Sequence, residues 1–523
     1  MSLDSPAGSR VDDDLARRGE VDVAVIGGGP AGATTARLLS LWGHRVTLFD
    51  KPARASLALV ESLPPSIRKL LAYVGIADRV ERAGFPPSRG NTCWWADVER
   101  RVEPFVTPIG VDGFQVPRAA FDALLVSAAR EVGVTMAGAV ERVVLPEASK
   151  AGRERGRPVE GVAVHADGAV TRARFVVDAS GRAGVVARLG WRAEALGPRT
   201  HAVAGIWESA AGFRLPDWTH TVIESFDAGW VWSVPFDAHR RQVTVMVDAE
   251  RADHGGGVER AYGAAFARTR EMARLLEGAT LVGRPFVRDA TVMRSERASF
   301  ESGVLVGDAA GSIDPISSIG VKKAMTSGWR AAAALHTCLV DPSRAGLALS
   351  YHAEREQVVF TACLAEAVGF FSQANDRYRH AFWGARVDAW GRAVAGATLD
   401  VESALGASDR ALLQDPAVAE AWQQLQASQS LKLRQASRVQ RVARPTISGR
   451  EVVLEDTLVG PAVPDGVRFV GRVNLPKLAA LASDYDGVPE LFGAYTSRVE
   501  PVSFPDFVRA LSVLLGKGLV ECL

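Results

Sequence analysis

Residues 21–43 read VDVAVIGGGPAGATTARLLSLWG, and this stretch decides the fold of the chain. It opens with a continuous β-branched run, which is typical of a strand buried on both faces of a sheet. A glycine-rich turn follows, and the alanine- and leucine-rich segment after it predicts a helix. The order of strand, glycine turn and helix predicts an α/β fold built on a largely parallel sheet.

Three glycines of the turn, Gly27, Gly29 and Gly32, form the pattern G-x-G-x-x-G. The first allows a tight turn, the second lets the backbone approach a pyrophosphate, and the third lets the helix pack closely on the strand. Phosphates would lie at the helix N-terminus, where free N–H groups and the helix dipole favour anions. The next predicted strand ends at Asp50, where a carboxylate that binds a ribose is expected. This βαβ unit therefore predicts a dinucleotide site.

A later stretch indicates which dinucleotide binds. Residues 303–335 read GVLVGDAAGSIDPISSIGVKKAMTSGWRAAAAL, which again predicts a strand, a tight turn and a long helix. The stretch resembles the second nucleotide motif of FAD-dependent aromatic hydroxylases and their relatives. The resemblance implies that Asp308 binds the ribityl side of FAD. It also implies that a loop containing Pro315, Ser318 and Gly320, here called the flavin loop (315–320), lies against the isoalloxazine ring.

Two further motifs agree with FAD as the cofactor. Residues 114–134, FQVPRAAFDALLVSAAREVGV, resemble the R-x-x-F-D helix of the same families, which implies that Arg118 lies near the cofactor. Residues 174–188, RFVVDASGRAGVVAR, resemble the strand and turn that close the FAD domain. The four motifs in this order imply an FAD-binding, Rossmann-like domain of the p-hydroxybenzoate-hydroxylase type.

The motif GWVWSVPF at residues 229–236 indicates the branch of the family. It resembles the W-x-W-x-I-P signature of flavin-dependent halogenases, with Val234 in place of isoleucine. The flanking stretches VIESFDA and RRQVTVMVD predict strands of an antiparallel substrate sheet, with contributions from segments near 85–117 and 195–290. Trp230 and Trp232 would form an apolar wall that excludes water from the reaction, although a plain packed sheet face has the same pattern.

One departure from the halogenase pattern concerns a lysine. The resemblance implies a lysine in the substrate cavity that receives the oxidant, but no lysine occurs from Phe85 to Asp97. Pro87 or Ser88 stands at the corresponding place, and neither offers an ammonium group. Lys69 is nearby in sequence, but its position predicts an exposed helix face. The sequence therefore favours hydroxylation, as in halogenase-like flavoproteins that oxygenate a tryptophan of a partner polypeptide.

Those hydroxylating relatives also resemble this chain at ESLPP (61–65), at D-P-x-S-S-x-G (314–320) and at the aromatic stretch FFSQANDRYRHAFWGAR (370–386). The resemblance implies that a flavin C4a-hydroperoxide transfers oxygen to an electron-rich aromatic ring, such as an indole in a peptide. Glu61 is the candidate for proton handling, and it could equally accept hydrogen bonds from loop amides. Lys322 and Lys323 either face flavin or substrate, or are ordinary surface lysines.

The source of electrons and the alternative functions follow from the same comparison. The stretch DASGR at 178–182 lacks the D-G motif tied to nicotinamide use, so a partner flavin reductase is expected to supply reduced flavin to react with dioxygen. Besides a hydroxylase acting on an aromatic small molecule or peptide, two functions stay open. One is a halogenase that makes hypohalous acid and uses Lys69 or another lysine. The other is a non-catalytic, flavin-bound peptide-binding protein.

The composition excludes several other classes of protein. Among 523 residues, 61 lysines and arginines nearly cancel 60 aspartates and glutamates, so no strong field attracts nucleic acid or membrane. No apolar run reaches membrane-spanning length. The cysteines show neither C-x-x-C spacing nor a cluster with histidine, so no metal site is predicted. The polar, acid-containing first residues argue against a secretory signal, and a cytoplasmic protein is expected.

The predicted domain organisation has four parts. Residues 1–20 are a disordered tail, 21–395 the FAD-binding and substrate domain, 396–448 a helical spacer, and 449–523 a C-terminal module. In that module REVVLEDTLV and GVRFVGRV predict strands, and VNLPKLAALASD and FPDFVRALSVLLG predict helices. The order is similar to small winged-helix modules, some of which capture a leader peptide by adding a strand. A structural cap is the alternative.

Overall fold

The computed structural model describes residues 20–51, 59–96, 99–105, 110–146, 161–249, 257–395, 401–405, 410–427 and 432–522. The chain divides into two compact units, Met1–Val401 and Glu402–Leu523. Each unit buries a hydrophobic core of its own. The predicted disordered tail lies outside the described residues, apart from Glu20, which begins the first strand.

The first unit interleaves strands with helices. Its strands are β1 (Glu20–Ile26), β2 (Val46–Phe49), β3 (Val60–Leu63), β4 (Pro87–Ser88), β5 (Gly90–Trp94), β6 (Arg101–Pro104), β7 (Gly113–Pro117), β8 (Thr135–Ala137), β9 (Val140–Val144), β10 (Val162–Ala166), β11 (Ala169–Asp178), β12 (Arg192–Ala195), β13 (Thr200–Glu208), β14 (Thr221–Phe226), β15 (Gly229–Pro235), β16 (Arg240–Asp248), β17 (Thr280–Asp289), β18 (Met293–Ser295), β19 (Ser299–Phe300), β20 (Gly303–Leu305) and β21 (Gly311–Ser312). Its helices are α1 (Pro30–Leu41), α2 (Ile67–Val74), α3 (Ala77–Arg82), α4 (Arg118–Arg130), α5 (Gly257–Phe266), α6 (Glu271–Leu275), α7 (Gly320–Val340), α8 (Ala345–Tyr378) and α9 (Ala381–Ala393).

The nucleotide-binding half of this unit is built on the predicted parallel sheet. β1 lies between β11 and β2 and runs parallel to both, and β20 and β8 extend the sheet on either side. The β-branched residues of β1 are fully buried because the strand is covered on both faces. Helix α7 packs on α1, where Gly328 lets the two backbones approach. The predicted α/β fold class is confirmed.

A second sheet forms the substrate half, with strands in the order β17-β13-β16-β15-β14-β5-β6. Neighbours are antiparallel except for β14 and β5. Side chains alternate between its faces. Val203, Val231 and Val243 pack on one face with Tyr262 of α5. The other face carries Trp230 and joins an aromatic core with α8 and α9.

A small sheet of the order β3-β7-β4 connects the two halves. Both neighbours are antiparallel to β7, which leads directly into α4. Of the described helices, the segment Pro342–Tyr378 that contains α8 is long and apolar enough to cross a membrane. Its Phe360, Leu364 and Phe371 are buried in the aromatic core, which accounts for its composition.

The second unit combines helices with a β-hairpin. Its elements are α10 (Val401–Leu405, which begins at the boundary), α11 (Arg410–Leu413), α12 (Pro416–Ala427), β22 (Leu433–Gln435), β23 (Gln440–Ser448), β24 (Glu451–Gly460), β25 (Val463–Val467), β26 (Phe469–Val470), β27 (Val473–Asn474), α13 (Leu475–Ala482), α14 (Val488–Arg498), α15 (Phe504–Gly516) and β28 (Val520–Cys522).

This arrangement corrects the predicted helical spacer at 396–448. Two strands, β22 and β23, follow α12 within that range. The glutamine-rich helix α12 is part of the second unit because its Val418 and Leu425 are buried in the core with α15. The glutamines of α12 predict a solvated spacer, but its apolar residues recur at helical spacing and form a buried face.

Candidate functional site

Of the three motif glycines in the turn after β1, packing requires two and one faces open space. Gly27 has a φ of +106°, and a Cβ added there would lie 2.4 Å from the Ala179 carbonyl oxygen. A Cβ on Gly32 would lie 1.9 Å from the Gly27 carbonyl oxygen. A Cβ on Gly29 would meet no atom within 4 Å. The turn therefore leaves free space at Gly29, at the start of α1.

Asp50 follows β2 and lies beside this turn. Its Oδ1 accepts a hydrogen bond of 3.0 Å from the Gly28 backbone N–H. The carboxylate thus steadies the turn and keeps its second oxygen beside it. This position agrees with a ribose contact, which stays a prediction for Asp50.

Arg118 and Glu61 meet where α4 and β3 come together. The Arg118 guanidinium forms two hydrogen bonds with the Asp122 carboxylate, at 3.1 and 3.0 Å, and lies 3.3 Å from Glu61 Oε1. Burial alone would lower the pKa of Arg118, but Asp122 and Glu61 raise it above its ordinary value. Removal of water raises the pKa of the Glu61 carboxyl, and Arg118 partly offsets that shift. Among the described residues Glu61 thus contacts a guanidinium, and its role in proton handling stays a prediction.

The loop after β20 carries Asp308, and the buried Lys323 supports that loop. The Lys323 ammonium donates to the Gly307 carbonyl oxygen at 3.0 Å and to the Gly311 carbonyl oxygen at 2.5 Å. It lies 3.9 Å from Asp308 Oδ1. The Asp308 side chain is 43% exposed, so it remains available to a ligand. Lys323 is a structural lysine, which corrects the alternative that it lies on the surface.

The flavin loop forms a short 3₁₀ turn, Pro315–Ser317, followed by Ser318 in the left-handed region at φ +52°. Asp314 caps this turn, since its Oδ1 accepts a 3.0 Å hydrogen bond from the Ile316 N–H. The Asp314 side chain is almost fully buried, and this burial raises its pKa to about 7 despite the Ile316 N–H and Arg386. Asp314 was part of the quoted motif but was not predicted as a site residue.

The structure fits FAD at the two helix N-termini. Neither α1 nor α7 has a side-chain cap or an acidic residue in its first turn. A Cβ on Gly320, like one on Gly29, would meet nothing within 4 Å. Uncapped N–H groups beside open space suit an anionic pyrophosphate at α1 and an electron-rich ring at α7.

The predicted tryptophan wall lies on the face of the substrate sheet that is turned toward the flavin loop. Trp230 is 1% exposed and stacks on Trp232 with the ring centroids 4.9 Å apart. Ile316 of the flavin loop belongs to the same aromatic core as Trp230. Among the described residues, the Trp230 indole N–H has no hydrogen-bond partner. The wall is therefore a largely apolar surface close to the flavin loop, with one unpaired indole N–H in the described part of the chain.

Sequence reasoning missed other aromatic residues of this core. Trp95 meets Trp230 edge-on at 6.1 Å and Trp383 at 5.5 Å, and its indole N–H donates to the Phe370 carbonyl oxygen. Trp383 and Phe370 belong to the aromatic stretch quoted above, whereas Trp95 lies in a separate strand end. Helical spacing within the stretch could have indicated a buried face.

The candidate lysines, and the serine at the place expected for the family's lysine, differ in burial. Lys69 is exposed on α2, as predicted. Ser88 is fully buried on β4, and its Oγ lies 2.9 Å from Ser62 Oγ. Lys322 is buried in the first turn of α7, where its ammonium donates to Ser66 Oγ at 2.8 Å. The expectation that Lys322 could be an ordinary surface lysine is wrong. No group of three or more possible metal ligands occurs among the described residues.

Comparisons with known proteins agree with this geometry. The family described as an FAD binding domain matches residues 20–364. The flavin-dependent halogenase armH3 of Armillaria mellea is 27% identical over 400 residues, which cover 71% of this chain and 78% of the relative. A tryptophan 2-halogenase of Chondromyces crocatus is 28% identical and covers 70% of each chain.

Two solved structures are similar over nearly the whole length. The flavin-dependent halogenase CmlS has a TM-score of 0.72 at 20% identity and covers 96% of both chains. The peptidyl tryptophan dihydroxylase QhpG, which is essential for tryptophylquinone cofactor biogenesis, has a TM-score of 0.64 at 24% identity. That match covers 96% of this chain and all of QhpG. At these identities the two structures share the fold.

Proposed function

Since the chain belongs to the FAD binding domain family, we propose that it is a flavin-dependent halogenase that acts on an electron-rich aromatic ring. The observation that carries the proposal is that relatives named as halogenases match about 70% of the chain. A match of that length is long enough to include both the FAD-binding motifs and the tryptophan wall. The sequence alone favoured hydroxylation, but these relatives support halogenation better.

Different residues described above would bind different parts of FAD. Gly27, Gly29 and Gly32 would place the start of α1 against the pyrophosphate, and Asp50 would bind the ribose. Asp308 would bind the ribityl chain, and Arg118 would lie beside the cofactor with Glu61. Bound FAD would supply the two-electron activation of dioxygen, with electrons from a flavin reductase.

The flavin loop and the tryptophan wall would enclose the reaction. Pro315, Ser318 and Gly320 would offer backbone groups to the isoalloxazine ring at the N-terminus of α7, where the helix dipole favours negative charge. Trp230 and Trp232 would keep water away and hold a planar substrate by packing against its ring. A raised pKa keeps a proton on Glu61 at a higher pH than usual, which suits a proton donor beside the cofactor.

Hydroxylation is the second candidate, and one observation favours it. No lysine occurs from Phe85 to Asp97, and Pro87 or the buried Ser88 stands where the family's lysine is expected. A neutral hydroxyl cannot form a haloamine. The shared fold of QhpG is compatible with oxygen transfer, and an indole in a peptide would then be the substrate. The second unit would assist in binding such a peptide.

Reconstitution distinguishes the two candidates. The purified chain would be combined with FAD, a flavin reductase, NADH and oxygen, with and without bromide or chloride. Free tryptophan, an indole-containing peptide and a simple phenol would be offered as substrates. A halogen isotope pattern in the product mass spectrum supports halogenation. A gain of oxygen that does not depend on halide supports hydroxylation. Oxygen consumption without any product contradicts both for these substrates.

A further inference from the structure

The small sheet places three polar side chains on one face. In the register of β3, β7 and β4, Ser62 pairs with Gln115 and Ser88 pairs with Gly113. Since alternate residues of a strand share a face, Ser62, Gln115 and Ser88 point to the same side. Gly113 contributes no side chain there. Pro87 and Glu61 point to the opposite side, so Ser88, not Pro87, lies among these polar groups.

Two polar atoms of this region are buried without a partner. Gln115 is fully buried, and its Nε2 donates to the Thr219 carbonyl oxygen at 2.9 Å. Its Oε1 has no hydrogen-bond partner among the described residues, and neither has Oγ1 of the buried Thr221, two residues after Thr219. A buried acceptor without a partner is destabilising. A small polar molecule at this strand end would complete the hydrogen bonds of both atoms.

The same residues border the tryptophan wall. Ile223 pairs with Trp232 across β14 and β15, and Thr221 lies two residues earlier on the same face. β3 also packs beside β15. A small molecule held between Gln115 and Thr221 would thus lie next to the surface on which an aromatic substrate packs.

We propose that Ser62, Ser88, Gln115 and Thr221 form a polar site that holds hypohalous acid beside the substrate, in place of the lysine. The inference rests on the proposed halogenase function. Hypohalous acid, H–O–X, would donate its proton to Gln115 Oε1 and accept hydrogen bonds from the hydroxyls. In the transfer, the O–X bond breaks and a carbon–halogen bond forms. The ring proton leaves with the hydroxyl as water, so ArH and HOX give ArX and H₂O.

The first test compares Gln115→Met and Ser88→Ala with Ser512→Ala. Ser512 is a matched control, since it is buried but bonds its own helix in the second unit. We expect Gln115→Met to keep the FAD content and oxygen uptake, with a lower melting temperature because the buried Thr219 carbonyl oxygen loses its donor. Halogenated product should fall at least tenfold, while hypohalous acid trapped by a soluble 1,3-dione rises. Equal loss of product and oxygen uptake, or unchanged product, would overturn the proposal.

A second test needs no substrate. In Ser88→Cys, the introduced thiol should react with hypohalous acid to give a sulfenic acid, a proton and halide, and tandem mass spectrometry detects the sulfenic acid. Cys363, which is buried, and Cys522, which is exposed, serve as internal controls. We expect halide-dependent oxidation at position 88 at least fivefold above both controls. Oxidation that is independent of halide, or equal at all three thiols, would overturn the site.

The two failures are distinguishable. If the proposed function fails, the unaltered protein shows no halide-dependent product and no trapped hypohalous acid with any substrate. If only the inferred site fails, the unaltered protein halogenates, and the Gln115 and Ser88 variants do so equally well.

Discussion

Gln242 of the substrate sheet is hydrogen-bonded to the backbone of Val60, the residue that precedes Glu61. Its Oε1 accepts from the Val60 N–H at 2.8 Å, and its Nε2 donates to Thr244 Oγ1 at 3.0 Å. Thr244 pairs with Trp232 across β15 and β16. One buried carboxamide therefore fixes the strand that carries Glu61 relative to the tryptophan wall.

Replacing this carboxamide tests the link. Gln242→Leu leaves the Val60 N–H buried without an acceptor, so the free energy of unfolding of the first unit should fall by about 1–3 kcal/mol. We also expect a smaller fraction of the oxygen consumed to appear as product. Without this hydrogen bond, the tryptophan wall is no longer held at a fixed distance from β3, the strand that carries Glu61. Urea unfolding followed by flavin fluorescence measures the first effect. Gln440→Leu, on an exposed position of β23, is the control. Unchanged stability in Gln242→Leu would show that the bond contributes nothing.

The glycine turn allows a matched pair of substitutions. Gly29→Ala meets no protein atom, so the apo protein should keep its melting temperature but lose affinity for FAD at least tenfold, about 1.4 kcal/mol or more. Gly32→Ala would place a Cβ 1.9 Å from the Gly27 carbonyl oxygen, so folding itself should suffer. Thermal melting without FAD and titration with FAD separate the two effects. FAD affinity that is unchanged in Gly29→Ala would contradict the placement of the pyrophosphate.

The two central tryptophans should respond differently to loss of the indole nitrogen. Trp230 has no hydrogen-bond partner for its N–H among the described residues, so Trp230→Phe should change the free energy of unfolding by less than about 1.5 kcal/mol. The Trp383 N–H donates to the Phe226 and Asp227 carbonyl oxygens, at 3.2 and 2.9 Å. Trp383→Phe should therefore be more destabilising by about 1–3 kcal/mol. Denaturant unfolding of both variants measures the two changes in the free energy of unfolding. Equal losses would mean that ring volume dominates.

The fold and the cofactor could be predicted because they depend on local patterns. Gly27, Asp50 and Asp308 each follow a strand at a fixed offset, and the β-branched residues of those strands indicate that the strands are buried. A βαβ unit can therefore be recognised from its own sequence, without knowledge of the segments that pack against it. The order of such units then identifies FAD. The exposure of Lys69 could be predicted for the same reason, because it follows from the position of the residue on its own helix.

Contacts between distant segments could not be predicted from spacing. The polar face of Ser62, Ser88 and Gln115 depends on the register of three strands that the sequence separates. The burial of Lys322 depends on Ser66, 256 positions away. A single serine or lysine carries no periodic signal, and the sequence gives no partner for it until the sheet register is known.

The buried Asp314 predicts how stability depends on pH. Its pKa rises from 3.8 to about 7 in the folded protein, so between these values the folded state holds a proton that the unfolded state has lost. Stability must then fall as pH rises through this window, by up to about 1.4 kcal/mol per pH unit. Asp314→Asn keeps an oxygen for the Ile316 N–H and removes the titration, so its stability should decline less between pH 5 and pH 8. Denaturant unfolding at both pH values measures the difference. Asp456→Asn, an exposed position of β24, should retain the slope of the unaltered protein. A slope that is the same in Asp314→Asn would contradict the raised pKa.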